Sequence, residues 1–354
     1  MSFKNRVNEV RRAILHSLTQ NIGNRRKAAF RTPLDPEKFR RVLISRPNNR
    51  LGNQLLITPL VQEVIRNFPH CKIDLFVRGG LAAVIFKYYD NVDRIICLPR
   101  KPFKELIAYV GVWFSLRKYR YDIVIDAVDG SSSGRLSTLL AKTDIRLYGS
   151  ENPQLKDKYK DYVHIAKTAI YNLRHVLSLS CPGFEATNAP LPFLDIHLTA
   201  SEIAEGGKLL EQLVGGREKP SITLYTYATG GKCYSSHWWL LLYEALKNKY
   251  EDRYHIIEVL PVENVSQIAF QAPSFYSRDI REMAAFMANT AVYIGADCGI
   301  MHLASAANIP VVGLFSATSI DVYRPYNERS VAIDTNHVTR VEDLIEIIDG
   351  AVNF

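Results

Sequence analysis

Hydrophobic positions in this chain fall into short blocks of four to six residues, separated by longer stretches in which apolar and polar residues mix. Short apolar blocks bounded by Pro, Gly or charged residues are typical of buried strands. The blocks that predict strands are Arg41–Ser45, Ile73–Val77, Arg94–Leu98, Asp122–Ala127, Ile145–Tyr148, Ser221–Tyr225, His255–Val259, Val311–Phe315 and a run ending at Ile294. The stretches that predict helices are Gly52–Phe68 with a bend at Pro59, 80–89, 102–118, 133–142, Trp238–Asn248, Asp279–Ala288, Gly299–Ala307 and Val338–Ile348.

This alternation of strands and helices predicts an α/β protein built on doubly wound parallel sheets. A Pro-rich stretch, Cys181–Pro192, interrupts the alternation, which then starts again, so it marks a domain boundary. We therefore predict two Rossmann-like domains between a leader and a closing helix that, in such folds, can return to the first domain. The predicted bounds are 1–40 for the leader, 41–185 and 186–337 for the domains, and 338–354 for the closing helix.

The segment 294–313 is the candidate centre of the molecule, because a buried strand there runs directly into a helix. Gly295 and Ala296 predict a tight exit from the strand, and Asp297 stands where a helix N-cap is expected. A helix that begins at the carboxyl edge of a parallel sheet offers free N–H groups to a phosphate. The alternative is an ordinary strand–helix unit with a capping Asp297 and a His302 that faces the core.

Composition narrows the class of protein. A chain of 354 residues with 47% hydrophobic and 23% charged residues is typical of a soluble globular protein. The longest apolar run, Leu106–Leu116, is too short to span a bilayer, and the N-terminus has no apolar segment of the signal-peptide kind. The five cysteines are odd in number and scattered, which predicts reduced thiols in a cytosolic protein.

The net charge of +8 is concentrated near the N-terminus. Residues 1–41 contain 11 Lys/Arg and 3 Asp/Glu, so the remaining residues, with 33 of each sign, are neutral. Apolar residues recur in the leader at three- and four-residue steps: Phe3, Val7, Val10, Ile14 and Leu18. This pattern predicts a basic amphipathic helix, and residues 1–31 are a candidate contact with an anionic membrane. The alternative is a solvated helix that packs on its own protein, and no nucleic-acid partner is expected.

Four stretches, taken together, carry a resemblance to a known family. The segment 297–306, DCGIMHLASA, resembles the D-x-G-x-M-H-x-A-x-A signature of glycosyltransferase family 9, the heptosyltransferase-like enzymes. The segments 41–60, 121–149 and 311–326 resemble further motifs of that family in the same order, so the resemblance covers about residues 41–350. It implies a GT-B architecture, in which two Rossmann-like domains face one another across a cleft. It also implies an inverting, metal-independent transfer of a sugar, typically heptose from ADP-heptose, to a lipopolysaccharide-type or other surface-glycan acceptor.

The resemblance and the loop chemistry together give a set of donor-binding candidates. Cleavage of the donor places negative charge on a diphosphate, which N–H groups, a helix N-terminus and a cation would stabilise. The candidates are Thr229, Gly230, Lys232, Glu263, Asp297, Gly299, Ile300, Met301 and His302. Glu263 would accept the ribose hydroxyls, and Asp297 would accept hydrogen bonds from the donor sugar. The segment departs from the family pattern at Ser236, where a basic residue is usual, and Lys232 is a candidate replacement.

The catalytic base is the point at which this chain departs most from the family. Heptosyltransferases carry an Asp in an L-G-D or M-G-D turn after the first strand, whereas this chain has Asn53. An amide cannot take a proton, although it can still hold a hydroxyl. Either a different carboxylate serves as the base, with Asp129 the best placed because it follows a strand, or the acceptor chemistry has changed or been lost. Asp129 is equally well explained as a turn residue before Gly130. The remaining candidates are the acceptor-binding residues Arg46, Arg50 and Arg135, which suit an acidic saccharide.

Two other classes of function were weighed against a membrane-associated glycosyltransferase. A non-catalytic nucleotide-sugar-binding protein is favoured by Asn53 alone. A nicotinamide- or flavin-dependent enzyme is disfavoured, because no G-x-G-x-x-G follows the first strand. The histidines form no HxH, HxxxH or HExxH cluster, so the sequence predicts no metal site and no cofactor.

Overall fold

The computed structural model describes residues 35–99, 105–181, 189–216, 218–338 and 340–352. Most of the predicted leader therefore lies outside the described residues. The chain divides into two compact units. The first contains residues up to Asn49, Pro59–Ala83 and Tyr89–Pro192. The second contains Arg50–Thr58, Val84–Tyr88 and the chain from Phe193 onward.

The first unit is built on five strands. They are β1 (Arg41–Ser45), β2 (Lys72–Arg78), β3 (Val92–Leu98), β4 (Ile123–Asp126) and β5 (Ile145–Leu147). The helices up to the unit boundary are α1 (Leu51–Leu55), α2 (Thr58–Asn67), α3 (Leu81–Ile85), α4 (Leu106–Ser115), α5 (Ser132–Leu140), α6 (Pro153–Lys158) and α7 (Thr168–Ser180), after a 3-10 turn at Pro36–Lys38. Of these, α1 belongs to the second unit.

The second unit is built on six strands. They are β6 (Ser221–Tyr225), β7 (His255–Val259), β8 (Ser274–Phe275), β9 (Val292–Ala296), β10 (Val311–Phe315) and β11 (Val331–Asp334). Its further helices are α8 (Ala200–Val214), α9 (Ser236–Tyr250), α10 (Ile280–Met287), α11 (Gly299–Ala306), α12 (Ile320–Tyr323) and α13 (Val341–Val352), with 3-10 turns at Gly230–Lys232 and Thr335–His337.

Both sheets are parallel and doubly wound, as the sequence predicts. The strand order is β3-β2-β1-β4-β5 in the first unit and β11-β10-β9-β6-β7-β8 in the second. In each sheet the order reverses beside the first strand of the unit, between β1 and β4 and between β6 and β9. Ligands of such sheets bind at the carboxyl ends of the two strands that flank this reversal. The topology therefore points to the loops after those four strands.

Apolar side chains between sheet and helices form the core of each unit. In the second unit, Ile222 and Ile294 of the central strands pack with the fully buried Trp239 of α9. The closing helix α13 contributes Leu344 and Ile348 to the same cluster, so it packs within the second unit. Burial of these strands on both faces explains why they are continuous apolar blocks in the sequence.

Buried ion pairs fasten elements that lie far apart in the chain. In the first unit, Arg174 of α7 makes two hydrogen bonds to Glu63 of α2, at 2.7 and 2.9 Å. In the second unit, Arg281 of α10 makes a similar pair with Glu202 of α8, at 2.6 and 2.8 Å. The hydrogen bonds from Arg281 lower the pKa of Glu202 to about 2. Planar guanidinium–carboxylate pairs of this kind fix both distance and orientation.

Two local predictions are corrected by the structure. The helix predicted over Gly52–Phe68 is two helices, α1 and α2, because Pro59 stands at the start of the second and cannot donate to the preceding turn. Several elements were not predicted at all: the helices α6, α7, α8 and α12 and the strands β8 and β11. The longest of them is α8. Thr199 and Glu202 form a capping box at its start, and Gly215 ends it in the left-handed conformation with φ 80°.

Candidate functional site

The strand reversal in the second sheet places two of the predicted segments side by side. Strand β6 ends at Tyr225 and leads into the loop that contains Lys232, and β9 ends at Ala296 and leads into Asp297. The two strands pair directly, with Tyr225 opposite Gly295. Side chains that follow them therefore emerge at the same edge of the sheet.

Asp297 makes hydrogen bonds to three other segments at this edge of the sheet. Its Oδ2 accepts hydrogen bonds from Nζ of Lys232 and from Oγ1 of Thr318, each at 2.5 Å, and its backbone N–H donates to Leu314 at 2.9 Å. The carboxylate is almost completely buried, whereas Lys232 remains partly exposed. A buried carboxylate held by a cation and a hydroxyl is a rigid acceptor of hydrogen bonds.

The prediction that Asp297 caps the following helix is wrong. Cys298 occupies the N-cap position of α11, and its side chain makes no capping hydrogen bond. Asp297 turns away because its strongest partners are Lys232 and Thr318. The backbone N–H groups of Ile300 and Met301 face the thiol of Cys298, a weak acceptor, and a helix terminus of this kind attracts anions.

The first three residues of α11 differ in their burial. Gly299 and Ile300 are half-buried, whereas Met301 is completely buried and packs against Gly313 of β10. Burial raises the pKa of the Cys298 thiol, so this residue is an uncharged neighbour of the terminus. The backbone of this turn is therefore the part of α11 available to a ligand.

His302 lies one turn further along and is also buried. Its Nε2 is 4.0 Å from Oδ1 of Asp297, and Nδ1 has no hydrogen-bond partner among the described residues. Burial lowers the pKa of His302 to about 4, against the opposing attraction of Asp297. His302 is thus a neutral imidazole at pH 7, able to donate or accept a hydrogen bond but not to serve as a cation.

The turn that carries Asn53 packs directly on α11. A Cβ on Gly52 would lie 2.8 Å from Cδ2 of His302, so no larger residue fits at that position. A Cβ on Gly299 would in turn lie 3.3 Å from the backbone N of Gly52. Two glycines therefore let the starts of α1 and α11 approach each other closely. The half-buried Asn53 accordingly stands beside the uncapped helix terminus, within the same unit.

The loop after β6 has the backbone that a glycine turn requires. Gly230 has φ 67°, which favours glycine, and the short 3-10 turn that it begins delivers Lys232 to Asp297. Thr229 precedes this turn and is exposed. Glu263 is exposed in the loop after β7, at the same carboxyl edge.

The strand reversal in the first sheet brings together a second group of predicted residues. Asp129 follows β4, and its Oδ1 accepts hydrogen bonds from the N–H of Gly130 at 2.7 Å and from Arg135 of α5 at 3.0 Å. The Asp129 side chain is half-exposed, whereas that of Arg135 is largely buried. Asp129 is therefore both a turn residue and an accessible carboxylate.

Asp126, the last residue of β4, lies close to Asp129 and Arg135. Burial raises the pKa of Asp126 well above its usual value, although the N–H of Val128 and the nearby Arg46 and Arg135 favour the charged form. Arg46 follows β1 and is buried. Two arginines and two carboxyl groups therefore share the carboxyl edge of the first sheet.

Three residues at the carboxyl edge of the second sheet were not among the predicted donor-binding candidates. Thr318 holds Asp297, and Thr226 donates a 2.6 Å hydrogen bond to the buried Glu258 of β7. Thr318 lies in the segment 311–326, which resembles a family motif, and that is the signal that should have drawn attention to it. Thr226 directly follows β6, but nothing in the sequence pairs it with Glu258.

The described ranges contain neither a metal-binding cluster nor a membrane-spanning helix. No group of three or more His, Cys, Asp or Glu side chains there has the arrangement of a metal site. No helix there is long and apolar enough to cross a bilayer.

Comparison with known proteins bears on this geometry. The family model described as glycosyltransferase family 9 (heptosyltransferase) matches residues 277–344, which include α11 and the segment with Thr318. The lipopolysaccharide heptosyltransferase 3 of Escherichia coli K12 is 22% identical over 301 residues, covering 79% of this chain and 84% of the relative. The chain is a glycosyltransferase family 9-like protein.

Solved structures agree with the family 9-like assignment at the level of the fold. The family 9 glycosyltransferase of Veillonella parvula superposes with a TM-score of 0.70 at 14% identity, over 91% of this chain and 99% of that one. The E. coli heptosyltransferase WaaC with ADP gives 0.61 at 18% identity, over 88% and 99%. This chain thus has the two-domain GT-B fold. Its similarity to family 9 proteins indicates that it is a glycosyltransferase.

Proposed function

We propose that this protein transfers a sugar, in the first instance heptose from ADP-heptose, to a lipopolysaccharide-type or other surface-glycan acceptor. The proposed reaction inverts the anomeric centre and uses no metal. The observation that carries the proposal is the uncapped N-terminus of α11, flanked by the Lys232–Asp297–Thr318 cluster, at the strand reversal of the second sheet. A family 9 relative of known structure was solved with ADP, which is the leaving group of such a donor.

The donor diphosphate is assigned to the second unit. The N–H groups of Gly299 and Ile300, together with Nζ of Lys232, supply the positive potential that a departing diphosphate requires. Asp297, fixed by its two partners, accepts hydrogen bonds from the sugar hydroxyls, and Glu263 accepts those of the ribose. Thr229, Gly230, Met301 and His302 line the same loops as backbone or neutral side-chain contacts.

The acceptor hydroxyl is held by Asn53 in this proposal. The half-buried Asn53 stands beside α11, and its amide oxygen can accept a hydrogen bond from the hydroxyl that attacks. Proton removal is assigned to Asp129, the accessible carboxylate of the first unit. Arg46, Arg50 and Arg135 are assigned to acidic groups of the acceptor.

A lipid-linked acceptor would place the protein at the cytoplasmic face of a membrane. Residues 1–31, with their excess of Lys and Arg, are proposed as a peripheral contact with anionic lipid. No nucleic-acid partner is proposed.

A panel of nucleotide sugars tests the donor assignment. Thermal shifts are measured with ADP-, GDP-, UDP- and CDP-linked sugars in the presence of a chelator, for the wild type and for His302→Ala. A shift with one nucleotide that is smaller in the variant supports the site, and formation of a glycosylated acceptor from the same donor supports the reaction. No shift with any of the four, while the protein remains folded, would contradict the proposal.

A second candidate function is favoured by one observation. Asn53 stands where heptosyltransferases carry the catalytic carboxylate, so the chain could bind a nucleotide sugar without transferring it. The same panel separates the two functions. Tight donor binding without transfer to any surface-glycan acceptor, and without donor consumption, would favour the binding protein.

A further inference from the structure

Helix α4 (Leu106–Ser115) of the first unit has apolar residues where a surface helix is normally polar. Exposed fractions are 61% for Leu106, 91% for Ile107, 44% for Val110 and 70% for Phe114. These side chains recur at helical spacing and form one outer face. A contiguous exposed apolar face of this kind marks a surface that another molecule covers.

The inner side of the same helix is already occupied. Tyr109, Val112 and Trp113 pack on the core that contains Leu43 and Phe76 of the first sheet. The helix is therefore fixed to the unit, and its outer face cannot turn inward to bury itself. At the end of the helix, the hydroxyl of Ser115 donates to the carbonyl oxygen of Val112 at 2.7 Å.

Basic residues lie on both sides of this helix in the sequence. Residues 99–121 contain six Lys/Arg and a single acidic residue, Glu105, a balance of +5. Arg117 and Lys118, which follow the helix, are exposed, and Arg120 is paired with Asp144. An apolar face bordered by cations is typical of helices that lie in the interface of an anionic membrane.

We propose that the outer face of α4 inserts into the surface of a bilayer that contains anionic lipid. At ten residues the helix is about 15 Å long, so it lies in the plane of the interface instead of crossing the bilayer. The apolar face enters the acyl region, and Arg117 and Lys118 contact lipid phosphates. This inference does not depend on the proposed glycosyl transfer.

The outer face of α4 could also be covered by a second copy of this chain or by its own N-terminal leader, and the charges of both argue against this. A second copy would bring two segments of balance +5 together, and like charges at an interface disfavour association. The N-terminal leader, residues 1–40, has a balance of +7 and would be repelled in the same way. An anionic lipid surface is complementary both to the apolar face and to its basic border.

Vesicle binding by the full chain tests the proposal. Sedimentation with vesicles of phosphatidylcholine and phosphatidylglycerol is compared for the wild type and for the double variant Ile107→Gln/Phe114→Gln. We expect the partition coefficient to fall at least about tenfold, because the two apolar side chains proposed to enter the acyl region are removed. Leu179→Gln is the matched control, since Leu179 of α7 is 71% exposed in the same unit. The control should change binding less than about twofold.

A second variant separates insertion of α4 from binding through the leader. Lipids brominated on their acyl chains quench tryptophan emission, so Ile107→Trp should show additional quenched emission compared with the wild type. Vesicle binding without this additional quenching, with the double variant binding normally, would overturn the proposal. So would a wild-type chain that does not bind the vesicles. A dimer that the double variant dissociates, with vesicle binding unchanged, would reassign the face to a protein interface.

Discussion

Lys232 Nζ lies 2.5 Å from Oδ2 of Asp297, although 64 residues separate them in the sequence. Thr318 reaches the same oxygen from a third loop. A partly exposed lysine and a buried carboxylate thus share one contact at the strand reversal of the second sheet. Since Lys232 retains exposed surface, it can hold Asp297 and still present its charge to an anion.

Asp297→Ala is expected to affect the sugar more than the nucleotide. Loss of the carboxylate leaves Lys232 and Thr318 without their acceptor, so the free energy of unfolding should fall by about 2 kcal/mol. Calorimetry measures the dissociation constants of ADP and of the ADP-sugar, and their ratio is compared between the variant and the wild type. We expect the ADP-sugar to lose about tenfold more affinity than ADP. An equal loss for both ligands would show that Asp297 acts only through the stability of the loops.

Asn53→Asp restores a carboxylate at the position where the related enzymes carry one. If Asp129 removes the proton and Asn53 only holds the acceptor hydroxyl, a carboxylate at position 53 should leave the rate of transfer within about threefold of the wild type, with donor affinity unchanged. Asn53→Ala is the control for loss of the side chain, and it should raise the KM for the acceptor. A rise of about 100-fold in the rate of transfer would assign proton removal to position 53 and would contradict the role proposed for Asp129.

Asp129→Asn tests the carboxylate that is proposed to remove the proton. The variant preserves the shape of the turn and a partner for Arg135, so the fold should be retained. Transfer should fall by about 100-fold or more, while the dissociation constant of the donor stays the same. Full activity in this variant would return Asp129 to the role of a turn residue before Gly130.

His302 should make stability depend on pH in a defined window. Its pKa is about 4 in the folded protein, whereas an unfolded histidine titrates near 6.5. Between these values the unfolded state binds more protons, so stability rises as pH increases from 4 to 6.5 and is constant above that range. The contribution is on the order of 3 kcal/mol. Denaturant titrations of His302→Gln should show a smaller slope between pH 4 and 6.5, and an identical slope would contradict the assigned burial.

Much of the fold follows from the sequence because its strands are buried on both faces. Strands β1, β6, β7 and β10 have the bounds that their apolar blocks predict. Partly exposed helices carry weaker periodic signals, and α8 was missed although its capping box, Thr199 and Glu202, is readable in the sequence. At α8 the capping residues predict the start of the helix better than the spacing of its apolar residues does.

The candidate site is less predictable, because its contacts join distant parts of the chain. The local pattern around Asp297 is that of an N-cap, and only the loops that carry Lys232 and Thr318 show why the side chain turns away. The neutral state of His302 also depends on burial, and Gly52 of α1, which packs against its ring, lies 250 residues earlier in the chain. Local propensity cannot report such long-range partners.

Binding of ADP in the presence of a chelator, measured by calorimetry for the wild type and for Lys232→Met, tests the central claim most directly. Lys249→Met is the matched control, because Lys249 is similarly exposed and pairs with Asp349 in the same unit. The account predicts that wild type and control bind ADP alike, and that Lys232→Met binds about 10- to 100-fold more weakly. Equal affinity in all three proteins, or no binding by the wild type, would contradict a diphosphate site at the start of α11.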